Sequence, residues 1–154
     1  MLSRFALVGG ALFSFAIALT HVAIVLVGPL AYLYFGSGEL AMLAARGSPW
    51  PATITLCLAL AFLLFGAYGL SGAGSMRRLP LLRPALIMIG GVYFLRGSLV
   101  ISDIISRFTG PIYPFRQTVF SAVSLAAGIL YLFGSLYKWA ELRRAEDSGR
   151  IGHA

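Results

Sequence analysis

The stretch VYFLRGSLVISDIISR, residues 92 to 107, sets Arg96, Asp103 and Arg107 inside sequence that otherwise reads as membrane-spanning. An arginine near a bilayer centre costs between about 3 kcal/mol and well over 10, depending on the reference state. Such a residue faces a helix bundle, a wet cavity or a partner. Its guanidinium offers a fixed positive charge and five N–H donors, which suit a carboxylate or another anion.

Asp103 follows Arg96 by two helical turns on the same face, roughly 10 Å of rise. Helical side chains lean toward the N-terminus, so Asp103 leans toward Arg96 while Arg96 leans away. The pair cannot touch without water or another helix. Asp103 and Arg107, four apart with the acid first, are better spaced for direct pairing.

Two further residues join this candidate site. If the first span runs from Arg4 to Gly36 and the third from Arg83 to Arg107, His21 and Arg96 share a depth. His21 also continues a ridge of small residues, Gly10, Ser14 and Ala18, of the kind that lets helices approach closely in lipid. Tyr93, one turn from Arg96, reads as the one tyrosine too deep for an interfacial belt. Ser98, Ser102 and Ser106 form a ladder beside Asp103. Gln117, Thr118, Ser121, Ser124, Thr53 and Thr55 add polar groups on neighbouring spans. The expectation is an intramembrane polar pocket open to the outside, floored by His21, Tyr93 and Arg96, with Asp103 on its wall. The competing expectation is local: such hydroxyls bond their own helix backbone or join helices together.

Other chemistry lacks its residues. Cys57 is the single cysteine, so no internal disulfide or thiol pair forms. No His, Cys, Asp or Glu set has metal-ligand spacing, and no cofactor is expected. SGAGS has no lysine or following helix to make it a phosphate loop. Ser98, His21 and Asp103 make an inventory for a triad, but RGSLV is not a nucleophile elbow.

The elements that must position these residues follow from composition. Of 154 residues, 59% are hydrophobic and 11% charged, and the mean hydropathy is +0.89. A soluble domain carries roughly a quarter of its residues as charged side chains. The apolar residues come in continuous runs of the length a helix needs to cross about 30 Å of hydrocarbon, not in the alternating strands of a barrel. The expected fold is an all-α integral membrane protein with four transmembrane helices in one bundle, residues 1–140, followed by a charged, flexible tail, 141–154. The spans lie within Phe5–Phe35, Trp50–Leu70, Pro84–Arg107 and Phe115–Trp139. The first resembles a signal peptide at its start, but its apolar run continues past Ala23, so retention is expected. That run is long for one crossing, and a tilt or a bend at Gly28-Pro29 should accommodate it. Between spans one and two, GSGELAMLAARGSPWP predicts a short amphipathic helix on the outer side. Ser37 would open it, Arg46-Gly47 would close it, and Leu40, Leu43 and Ala44 would share a face.

Arg4, Arg77, Arg78, Arg83, Lys138, Arg143, Arg144 and Arg150 fall on one side of the spans, and Arg46, Arg107 and Arg116 on the other. By the positive-inside rule both termini are cytoplasmic. Tyr32, Tyr34, Trp50 and Tyr113 then fall at the outer interface, and Tyr68, Tyr137 and Trp139 at the inner one. The net charge of +7 is read as topology plus attraction to anionic headgroups at the cytoplasmic face. No motif supports nucleic acid as a partner. Arginine outnumbers lysine eleven to one, the composition of a GC-rich bacterial genome, so the expected location is a bacterial inner membrane.

Three functions are compatible with this chain. It is expected to be a non-enzymatic accessory or assembly subunit of a membrane complex, working as a homo-oligomer or with a partner membrane protein. A small anion or solute carrier with Arg96 as binding charge comes second, and a lipid-modifying enzyme third.

Overall fold

In the computed structural model, residues 1–109 and 115–151 are described; the side chains of Arg107, Thr109 and residues 141–151 lie outside that description. The elements in chain order are α1 (Leu2–Val27), α2 (Pro29–Tyr34), α3 (Gly38–Ala45), α4 (Trp50–Gly72), α5 (Leu82–Thr109) and α6 (Phe115–Ile151). All regular structure among the described residues is helical. Four segments are long and apolar enough to cross a membrane: Leu2–Val27, Trp50–Gly72, Leu82–Ser106 and Phe115–Ala140. The last three match the expected spans to within two or three residues. The first stops earlier than expected, because α1 ends where the sequence supplies Gly28 and Pro29. The helix of α6 carries on through the charged stretch as far as Ile151. Tyr113 lies outside the described residues.

The chain divides into two compact units, residues 1–13 with 67–154, and residues 14–66. In the first unit, Leu7, Ala11, Leu86, Ile89, Tyr93, Ala127 and Tyr131 are buried. Their packing is made possible by missing side chains. A Cβ on Gly97 would lie 2.3 Å from the Leu125 backbone nitrogen, and one on Gly128 would lie 2.6 Å from that of Phe94. Without a large hydrophobic driving force between helices in lipid, such backbone approach is a main source of helix–helix attraction. The small step from Ser124 to Gly128 therefore faces α5.

The second unit is built around the interruption after α1. Gly28 adopts φ +81° and Pro29 occupies the first turn of α2, where a missing N–H is tolerated. Ser37 precedes α3 but makes no side-chain cap bond. At the other end Gly47, at φ +75°, accepts the left-handed turn. Ser48 N–H donates to the Leu43 carbonyl at 3.1 Å and Gly47 N–H to that of Ala44 at 3.0 Å, so α3 closes in a Schellman motif. Its packed face consists of Leu40, Ala41 and Ala44 against Ile24, Ala31 and Tyr32. Leu43, expected on that face, is exposed.

Tyr32, expected at the outer interface, packs into this unit. It is 3% exposed, and its hydroxyl donates to Thr55 Oγ1 at 3.1 Å. Burial follows from position: Ala31 and Tyr32 lie on the packed side of α2, while Leu30, Leu33 and Tyr34 are exposed on the other. Tyr32→Phe should lower stability by about 1 kcal/mol, since Thr55 Oγ1 then loses a buried partner. Adding Thr55→Val should return most of that loss. Thermal unfolding in detergent measures both, and equal additive losses would mean the bond contributes nothing.

Candidate functional site

The candidate site lies in the first unit and is built by α5 and α6. Arg96 stands two residues past the middle of the span Leu82–Ser106. Its Nη1 donates to Ser121 Oγ at 3.0 Å. Ser121 Oγ in turn donates to Asp103 Oδ2 at 2.5 Å, the length expected of a hydroxyl bound to a carboxylate. Asp103 is 7% exposed and Ser121 1%. The second helix that the Arg96–Asp103 spacing requires is therefore α6, and the bridging atom is one serine oxygen. The relay holds a cation and an acid two turns apart without letting them touch.

Two features position this oxygen. Ser121 stands one turn before Leu125, whose backbone lies against Gly97. The missing side chain at Gly97 thus brings α6 close enough for Ser121 to reach both charged groups. A one-residue shift of α6 would turn the hydroxyl by about 100° away from α5.

Arg96 itself remains exposed. Beyond Ser121, its guanidinium meets no other hydrogen-bond acceptor among the described residues. A charged group so placed has donors available for an acceptor from elsewhere.

Tyr93, one turn before Arg96, is 3% exposed and stacks on Tyr131 with centroids 5.9 Å apart and planes 9° from parallel. Tyr131 is a second deep tyrosine. It lies near the middle of Phe115–Ala140 and is fully buried, so depth alone marked it in the sequence as clearly as Tyr93.

His21 belongs to the second unit. Its Nδ1 donates to the Ile17 carbonyl at 2.8 Å, and its ring lies 5.0 Å from that of Phe62. The span carrying it is Leu2–Val27, centred at Ser14 and Phe15. His21 is therefore about 10 Å along the helix from that centre, whereas the longer boundary Arg4–Gly36 set it at the middle. The ridge of Gly10, Ser14 and Ala18 is buried, as its small residues required.

Three other hydroxyls expected around a pocket bond their own helices, while Thr55 Oγ1 accepts from Tyr32 and Thr118 Oγ1 is buried with no hydrogen-bond partner among the described residues. Ser98 donates to the Leu95 carbonyl at 2.8 Å, Ser124 to that of Phe120 at 3.0 Å and Thr53 to that of Pro49 at 3.1 Å. This is the local alternative for serine and threonine in apolar helices. Ser121 differs because two charged side chains compete successfully for its oxygen. The Asp103–Arg107 pairing involves a side chain outside the described residues.

Four apolar helices and an intramembrane Arg96–Ser121–Asp103 relay thus define a protein built for a membrane; no known protein family, curated protein or solved structure matches the chain.

Proposed function

We propose that this protein is a non-enzymatic subunit of a membrane complex, with both termini on the cytoplasmic side, and that Arg96 is its point of engagement. The observation that carries this reading is the position of Arg96: close to the middle of a span, exposed, and held at one nitrogen by Ser121. Hydrocarbon supplies no acceptor for its other N–H groups. A second copy or a partner membrane protein bearing a carboxylate or free carbonyls would supply one. The excess of Lys and Arg near one set of span ends supports the orientation.

Gentle extraction at native expression tests the proposal. The expected result is an assembly well above the 16.5 kDa chain, containing a stoichiometric partner or further copies. Arg96→Gln should release a folded chain from that assembly. A wild-type protein that elutes as a monomer in several mild detergents would overturn the proposal. The same exposed guanidinium favours an anion carrier as the second reading, which requires anion flux through the reconstituted protein that Arg96→Gln abolishes.

A further inference from the structure

A second cationic site lies in the first unit where α4 ends and α5 begins. Gly74 adopts φ +75°, and Ser75 N–H donates to the Leu70 carbonyl at 3.0 Å and Gly74 N–H to that of Ser71 at 3.1 Å, so α4 ends in a Schellman turn. The loop beyond folds back on one hydroxyl. Ser71 Oγ accepts from Leu79 N–H at 2.9 Å and donates to the Arg77 carbonyl at 3.0 Å. Tyr68 adds a hydrogen bond to the Pro80 carbonyl at 3.2 Å. Lys138 Nζ donates to the Gly72 carbonyl, placing a cation at the negative end of α4.

These contacts border an open cavity of about 380 Å³ whose lining includes Arg78, Arg83, Lys138, Trp139, Leu82 and Leu86. The Arg83 guanidinium lies 5.3 Å from the centroid of the Trp139 ring, a cation–π distance that orients its planar fork. Three cations line the cavity, and no acidic side chain does among the described residues. The nearest acid in sequence, Glu141, has its side chain outside the described residues.

The ends of three spans meet this cavity. Gly72 closes one, Leu82 opens the next, and Trp139 stands one residue before the end of the last. That level is the membrane–water boundary, where phosphodiester groups lie and tryptophan is enriched. The geometry points to a binding site for a phosphate group, with Arg78 and Arg83 as its bidentate partners and Leu82 receiving apolar substituents. Its sources are the headgroup of an anionic phospholipid or a free phosphate. This inference does not depend on the role proposed for Arg96.

Native mass spectrometry of the protein in neutral detergent tests it, with added phosphatidylglycerol, phosphatidylcholine or inorganic phosphate. The protein should retain phosphatidylglycerol in preference to phosphatidylcholine. Arg78→Gln and Arg83→Gln should each weaken that retention about tenfold, the loss of one charge-assisted contact. Arg77→Gln removes the same charge next door but does not line the cavity, so it should leave retention unchanged. Displacement by millimolar inorganic phosphate would identify a free phosphate as ligand, and retention in its presence would identify the lipid. Equal losses for Arg77→Gln and Arg78→Gln, or equal retention of phosphatidylcholine, would overturn the site. Unchanged helicity by circular dichroism qualifies each variant, and Arg78→Lys, which keeps the charge without the fork, should fall between wild type and Arg78→Gln.

Discussion

Asp103→Asn should lower stability by about 1.5–3 kcal/mol. The hydrogen bond that Ser121 donates to the buried Asp103 carboxylate is charge-assisted, and its loss is expected to cost that much. Ser121 would remain bonded to Arg96, but its hydroxyl would no longer donate to a carboxylate. Arg96→Gln should cost at least as much, because it leaves the buried Asp103 carboxylate without that cation, whereas Asp103→Asn leaves an exposed guanidinium. The combination Arg96→Gln with Asp103→Asn should recover part of the loss, since neither charge then remains. Ser121→Ala separates the charges from their bridge and should itself cost about 1–3 kcal/mol. Thermal unfolding in a fixed detergent gives the cycle. Losses that add to within about 0.5 kcal/mol would show independent residues and dissolve the relay as a unit.

The second large effect is expected at Gly97. An added Cβ would lie 2.3 Å from the Leu125 nitrogen and 2.4 Å from its Cα, and neither backbone atom can move without moving α6. Gly97→Ala should cost at least about 1–3 kcal/mol, the range for overpacking, and Gly97→Leu should prevent α5 and α6 from pairing. Gly91, six residues earlier on the same helix, offers open space: a Cβ there would meet nothing within 4 Å. Gly91→Ala should be neutral or stabilising by up to about 1 kcal/mol through helix propensity. Parallel unfolding curves for the two alanine variants decide it: similar behaviour would mean that the close approach is not what holds the helices. Gly97→Ala should also disturb the Arg96–Ser121 contact, because the same approach positions Ser121.

The spans were legible because each depends on a run of one kind of residue, and so was the interruption at Gly28-Pro29, which two residues impose locally. The relay was legible in part. Residue spacing on one helix showed that Arg96 and Asp103 share a face and need a third group between them. It could not select Ser121 over Thr118 or Ser124, because the rotation of α6 against α5 depends on how Gly97 and Gly128 seat across the contact. The basic cavity was hidden for another reason. Arg77, Arg78 and Arg83 count equally toward topology, and only the fold of the loop onto Ser71 separates those that line the cavity from the one that does not. Tyr131 was missed although its central position was plain in the sequence.

The break between α1 and α2 also bears on how α1 can sit in a bilayer. Pro29 has no N–H to offer the Val25 carbonyl, four residues earlier. A carbonyl without a donor is poorly tolerated in hydrocarbon but readily met by water or protein. Sliding α1 inward by one turn would draw that carbonyl toward the acyl chains, whereas sliding it outward would expose apolar residues instead. The 26 residues of α1 extend about 39 Å, longer than the roughly 30 Å hydrocarbon layer. The helix is therefore expected to tilt, and a bilayer of different thickness should change that tilt.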